Sequence, residues 1–467
     1  MTIANTGCSP SSRKRRGKLI TAALVALACS AAGFVQQAAA ANVKVAYALD
    51  YMFSKPELIT KWYGNIKKEF EAAHPGDTLE LVPIPGGYED FMTKLSLLYN
   101  SPKTAPDIIH VMSVSIGQFA DGGLLLPLDD KAKAASWWQD FPKPVQNEGL
   151  VDGTHYGVVV GINTYQLLFS RPLMEKAGLS ADWTPKNWDD ILTAARAIKK
   201  AVPDSWPIWL ITGTAQGPAS LGNGPGLLLT ASSEPKIYDQ KTKKWVVDSK
   251  GIREVLEFYK KAAADNLLAP SSQIMNPNAT NNSATILPEG KTGIVFAGNW
   301  IPIDWNPQVC TPCWGEKEQE TIGSTAVPTS NGQAPHTAAT MDTQAAAIYK
   351  DTPNPDLAWA VVNIMTEKQQ QLDLSAWGPA IPPTPALSKD PVYLGYSLPR
   401  FQTSFADLTA TATSMPSSPE LPVWAYAFQM ATQTMVLKPD TSIDDAVKVM
   451  HKYVADQLGE DKVETLP

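Results

Sequence analysis

Between Val43 and Val111 the apolar residues switch period again and again, and that alternation constrains the fold more than any other feature of the chain. Val43-Lys44-Val45-Ala46-Tyr47 reads as a strand. Trp62, Ile66, Phe70 and Ala73 then recur at helical spacing, until His74-Pro75-Gly76-Asp77 breaks the pattern. Thr78 to Val82 reads as a second strand, Tyr88 to Tyr99 as a second helix with Phe91, Leu95 and Leu98 on one face, and Asp107 to Val111 as a third strand. A β-α-β-α-β order implies parallel strands joined by right-handed crossovers. Ligands of such sheets sit beyond the carboxyl ends of the strands. The segments after Tyr47, Val82 and Val111 are therefore the first candidate binding loops.

Further along, Tyr156 to Val160 reads as a strand. Thr184-Pro185 is expected to open a helix striped by Trp188, Ile191, Leu192, Ala195 and Ile198, with Thr as cap and Pro at the first helical position. Ile252, Val255, Leu256 and Tyr259 mark another helix. Thr292 to Phe296 and Gln344 to Tyr349 read as buried strands. Asn354-Pro355-Asp356 starts a helix running to about Thr366, and Ser442 caps the last one. Ser414 to Pro422 reads as a loop.

The N-terminus carries a different signal. Arg13, Lys14, Arg15, Arg16 and Lys18 precede an apolar run from Leu19 to Val35 that ends in Gln36-Gln37-Ala38-Ala39-Ala40-Ala41. A basic start, a short apolar core and a small-residue ending describe a secretory signal peptide over residues 1–41. Thr21, Ser30 and Gly33 interrupt the run and argue against a membrane anchor. Lipid attachment at Cys29 is the weaker reading, because Ala26 rather than a large aliphatic residue stands three positions before it. Export would leave about 426 of the 467 residues, more than one hydrophobic core holds, and so two lobes are expected. Removing the five basic residues takes the net charge from −7 to −12. That charge argues against nucleic acid and anionic membrane as partners. Of the cysteines, Cys310 and Cys313 survive, in Cys-Thr-Pro-Cys. In an oxidising compartment a small structural disulfide is the expectation, and no further ligands stand nearby for zinc.

The motifs, taken in order, resemble the bacterial extracellular solute-binding protein family 1, the maltose-binding-protein-like sugar-binding components of ABC importers. Phe70-Glu71-Ala72-Ala73-His74-Pro75-Gly76 is similar to the end of the family's first helix. Ala105-Pro106-Asp107-Ile108-Ile109, followed by Gly123-Leu124-Leu125-Leu126-Pro127-Leu128, resembles its "PD(I/V)…G-L-x-P-L" segment. Asp152-Gly153-Thr154-His155-Tyr156-Gly157-Val158, Leu173 to Leu179 with Thr184 to Asp190, Glu289 to Trp300, and Asn354 to Trp359 resemble later family segments. Two departures stand out: Leu168-Phe169-Ser170 replaces a common Tyr-Tyr-Asn, and Met341-Asp342-Thr343-Gln344 replaces a glycine-rich lead.

The resemblance implies a type II periplasmic binding protein fold: two α/β lobes, each a mostly parallel sheet flanked by helices, joined by crossing hinge strands. By analogy lobe I would hold 42–160 plus 291–349, and lobe II 163–288 plus 351–467. It implies a monomer that captures a sugar or oligosaccharide in the cleft and delivers it to ABC importer permease subunits, without a cofactor. The same fold could take a polyol, glycerol phosphate or polyamine. The scarcity of cleft Arg and Lys argues against a phosphate, and Asp50 and Asp342 leave an amine open.

A sugar presents flat C–H faces and a rim of hydroxyls, so its site needs aromatic plates and closely matched polar groups. Trp300, in Gly298-Asn299-Trp300, and Trp424 stand where the resemblance implies stacking residues, and Trp377 is a further loop Trp. Trp188 and Trp359 lie on helical stripes and read as core. Asp50 and Tyr51 follow the first strand, Tyr88 follows Gly86-Gly87 after the second, and Ser113 and Ser115 follow the third. Asn163 stands at the first crossing, Thr214 and Gln216 in a polar loop of lobe II, Asn299 beside Trp300, and Asp342 before the last crossing strand. Enzyme signatures are poor. The five His are scattered, there is no His-Glu-x-x-His or Gly-x-Ser-x-Gly, and no Gly-Lys-Ser/Thr follows Gly222-Asn223-Gly224-Pro225-Gly226. A secreted carbohydrate-active enzyme is the reading of another class, because two carboxylates facing across a cleft leave no linear motif.

Overall fold

Eight strands form the central sheet of the computed structural model, which describes residues 40–467 except 51, 53–54, 306–312, 378–379 and 396–397, with side chains left aside at Pro218, Ala219 and Trp377. Residues 1–39 of the expected signal peptide, with Cys29, and Tyr51 and Cys310 lie outside the described residues; Cys313 is disulfide-bonded.

The strands are β1 (Asn42–Ala48), β2 (Thr78–Ile84), β3 (Ile108–Met112), β4 (Gly157–Ser170), β5 (Trp206–Trp209), β6 (Thr292–Gly298), β7 (Ile322–Thr325) and β8 (Met341–Ile348). Their order is β2-β1-β3-β8-β4-β6-β5, with β7 also on β4. β1 pairs parallel with β2 and β3, as the alternation of periods requires. β8 runs antiparallel to both β3 and β4, and β4 continues antiparallel to β6 and β7. The long β4 therefore belongs to two sheets: its first half pairs with β8 and its second half with β6. Every one of its 14 residues is buried. That explains why the expected strand stopped at Val160: a strand covered on both faces shows no alternation beyond which to extend it.

Local chemistry sets most helix ends. The helix Pro56–Ala73 stops at His74, and the turn behind it needs Gly76 at φ +102°. The helix expected to open at Thr184-Pro185 instead begins at Trp188, because Asn187 caps it by accepting from the Asp190 amide at 2.9 Å. Ser249 and Ser442 cap the helices Lys250–Ala264 and Ile443–Leu458 in the same way.

Two bodies of apolar packing flank the crossing. One covers both faces of β1 and β3, with Trp62, Phe70 and Ile108 on one side and Phe91, Leu95 and Val111 on the other. The second is built around Trp188, Trp209, Trp245, Phe258 and Trp424. Two expected placements are exchanged between them. β6, expected in the first lobe, pairs with β5 and the far half of β4, and its Ile294, Val295 and Phe296 sit in the second body. The helix Pro355–Met365, expected in the second lobe, buries Ala358, Val361 and Val362 in the first body. The cause is the direction of β8, which starts beside Thr164 and ends beside Ile108 and so returns the chain to the first body. The chain crosses again at Ile381, which exchanges both backbone hydrogen bonds with Ile162 at 2.7 and 3.0 Å. Gly161 makes that approach possible: a Cβ there would lie 2.7 Å from the Ala380 Cβ.

Candidate functional site

Where β4 and β8 cross, their side chains alternate, and one set faces a cavity of about 460 Å³. Asn163 and Tyr165 point into it from β4, Asp342 and Gln344 from β8. Asp342 and Asn163 are paired residues of the ladder, and the register shifts by one residue after two more pairs, between Gln344 and Ala345. The Asn163 amide donates to Asp342 Oδ1 at 2.8 Å, and the Tyr165 hydroxyl donates to Asp342 Oδ2. Tyr165 can reach that position because residue 222 is glycine; a Cβ there would lie 2.3 Å from its Cζ.

Trp300 forms a wall of the cavity and meets Tyr165 edge-on, with centroids 5.6 Å apart at 88°. Its ring folds back over Gly298, where a Cβ would lie 2.1 Å from the indole. Its indole N–H is buried without a partner in the protein. On the opposite side Asp50 accepts from the Gly86 amide at 2.8 Å, and Tyr88, Glu89 and Asp90 open the next helix behind Gly86-Gly87. Gln216, Asn278, Thr280 and Asn281 contribute neutral polar groups. The Gln216 amide donates to the Asn276 carbonyl at 3.0 Å, while its oxygen accepts from Thr280.

The electrostatics follow from burial. Loss of water around Asp342 pushes its carboxyl up to about 6, and the neighbouring Glu148 carboxylate adds to this, while the bonds from Tyr165 and Asn163 oppose it. Burial also raises Glu148, against hydroxyls of Ser414, Ser113 and Thr343 that favour its charged form. Behind Gln344, burial lowers His110 to about 3, so it is neutral at physiological pH.

Asp50, Tyr88, Asn163, Gln216, Trp300 and Asp342 are thus brought together around one cavity. Other expected site residues are placed elsewhere. Trp424 is a core residue: it is fully buried, donates to the Val246 carbonyl at 2.7 Å and packs on Trp245 and Phe428. Asn299 is also fully buried and fixes the crossing by accepting from the Thr164 amide at 3.1 Å. Ser113 is buried and donates to Glu148 at 2.7 Å, so it acts behind the wall. Ser115 touches the cavity only through Tyr88, 3.4 Å away, and Thr214 stands off the lining. Trp377 ends a helix, its side chain outside the described set, and Tyr51 is not described. Tyr165 and Gln344 were missed, although each stands two residues beyond a predicted one. The period-2 rule alone would have found them.

A larger, open concavity of about 770 Å³ lies among Trp188, Arg253, Phe258 and the C-terminal Pro467. Its Arg253 is already paired with Asp248 and Asp444, both at 2.7 Å. None of its lining residues belongs to the crossing strands β4 and β8.

Two α/β bodies with strands crossing between them and a polar, aromatic-walled cavity at the crossing define a two-lobed, type II periplasmic binding protein fold. The maltose-bound MalE3 of T. maritima shares it at 18% identity, with 90% of this chain and 100% of that chain covered and a TM-score of 0.72. The cyclic alpha-maltosyl-1,6-maltose binding protein of Arthrobacter globiformis does so at 18% identity, over 90% of this chain and 99% of that one, with a TM-score of 0.69. A Brucella abortus chain known by name only as a binding protein is 22% identical over 398 residues, 82% of this chain and 88% of its own. The profile of the bacterial extracellular solute-binding proteins matches residues 55–372, and the chain belongs to that family.

Proposed function

We propose that this protein is exported, captures a sugar-like solute in the cavity between its lobes, and presents it to the permease of an ABC importer. The carrying observation is the cavity itself: about 460 Å³, within the roughly 300–1,000 Å³ of small-molecule sites, with an aromatic wall at Trp300 and amides and hydroxyls around it. Family membership supports the transport role. Among the described residues no helix is long and apolar enough to cross a membrane.

In this reading one lobe comprises about 42–161 and 344–380, the other about 163–341 and 382–467, and closure about the β4–β8 crossing traps the ligand. Gly217, at φ +58°, lies against Tyr88 and Glu89, so the lobes already touch at one end of the cavity.

A thermal-shift screen over sugars, oligosaccharides, polyols and amines tests the proposal, with tryptophan fluorescence and product analysis in parallel. A binder gains about 2.7 kcal/mol at a hundred times its dissociation constant and leaves the solute unchanged. Turnover without stabilisation would instead favour the enzyme reading.

A further inference from the structure

The charge around the cavity has one sign. Asp50, Glu89, Asp90 and Asp342 line it, and no Lys, Arg or His does so among the described residues. The protein partners of Asp50 and Asp342 are neutral: the Gly86 amide for the first, the Tyr165 hydroxyl and Asn163 amide for the second. His110, behind the lining residue Gln344, is enclosed between that side chain and Tyr63, whose hydroxyl is 2.7 Å from its Nδ1. Buried there, it carries no charge to offset the carboxylates.

Such a rim could serve a metal ion or an organic cation. A metal needs several donors converging on one point. Among the described residues no three Asp, Glu, His or Cys side chains do so. The carboxylates are instead distributed: Asp50, Glu89 and Asp90 on the first body, Asp342 at the crossing. The remaining wall is a Trp, the aromatic ring that best accommodates a cation over its face. Polar neutral groups from Gln216, Asn278 and Asn281 complete the far side. An anionic solute would find no counter-charge here.

We infer that the solute is cationic: a hydroxylated, amine-bearing molecule of the amino-sugar class, its ammonium drawn to the carboxylate rim that Asp50, Glu89 and Asp90 spread along one side and its C–H face laid on Trp300. This rests on the reading of the cavity as the ligand site. It narrows the cargo from sugars in general to those with a free amine.

Isothermal titration of the purified protein with matched solutes tests it: glucosamine oligomers, their N-acetylated counterparts, and the parent glucose oligomers. Free-amine members are expected to bind at least about tenfold tighter than acetylated or neutral ones, an advantage that shrinks as salt screens the rim carboxylates. The double variant Glu89→Gln, Asp90→Asn is expected to erase most of that advantage, read as the ratio of free-amine to neutral affinity within each protein. Equal or tighter binding of the neutral oligomers overturns the cationic cargo and leaves the cavity as the binding site. Binding of neither set, or binding that Trp300→Ala does not weaken, overturns both.

Discussion

Replacing Asp342 by Asn isolates the most perturbed group at the crossing. Asp342 is half-buried, and loss of water raises it from 3.8 to about 6. In the native state it therefore holds a proton at pH values where the unfolded chain has released it. The folded value lies above the unfolded one, so stability is fullest below about pH 4, declines through the window between the two values, and levels off above about 6. The gap corresponds to about 3 kcal/mol at roughly 1.36 kcal/mol per tenfold. The edge facing the cavity is screened, which leaves about 2 kcal/mol. Asn carries no such penalty and keeps both contacts if the Tyr165 hydroxyl turns from donor to acceptor. Asp342→Asn should therefore be more stable than the parent at pH 8 by about 2 kcal/mol, or about 2 °C in Tm for a chain this long. At pH 4.5 most of the difference should vanish. Glu148 titrates in both proteins, and its repulsion with Asp342, lost in the variant, acts in the same direction as the burial of Asp342. Differential scanning fluorimetry at half-unit intervals from pH 4.5 to 8 measures it. A difference between the two proteins that does not change with pH would refute the argument that burial charges Asp342 only at a cost.

Trp300→Ala should weaken ligand binding about tenfold or more in titration and also cost about 1–3 kcal/mol of stability, since the partly buried ring packs on Tyr165, on Gly298 and against the core of the second body. Trp424→Ala should do the reverse: about 3–5 kcal/mol lost from the buried stack with Trp245, and unchanged affinity in the protein that still folds, read by urea unfolding and titration. Gly222→Ala should force Tyr165 away from Asp342, because its Cβ would lie 2.3 Å from the phenol; about 1–3 kcal/mol of stability and much of the binding should go together.

The parts of the fold legible in the sequence were those set by local chemistry. β1, the helix Pro56–Ala73, β2 and the helix Tyr88–Leu98 announce themselves by period, and the Ser442 cap by its neighbour Asp445, whose amide it accepts at 3.1 Å. Lobe membership was not legible. The residues of β6 read as a buried strand wherever they are placed, and only pairing with Trp206 to Trp209, more than eighty residues earlier, fixes them to the second body. The same holds for Trp424. The helix Leu421–Leu437 is apolar nearly all round, so its pattern cannot say which side a Trp faces. The outcome was decided by Trp245, which arrives from another element to cover it.

The crossing strands carry a signal that composition hides and alternation reveals. β4 and β8 are among the most buried strands of the protein, yet at alternate positions they carry Asn163 and Tyr165, Asp342 and Gln344. Sealed in a core, a carboxylate among such groups would demand complete hydrogen bonding or cost several kcal/mol. Asp342 obtains bonds from Asn163 and Tyr165, and its remaining capacity faces the cavity. Polar residues two apart on neighbouring buried strands therefore mark a surface facing a polar space, whichever lobe each strand is assigned to. Applied to Asn163 and Asp342, that rule leads to Tyr165 and Gln344 without any knowledge of the lobes. It also separates these residues from Ser113 and Asn299, whose polar groups are used up within the protein.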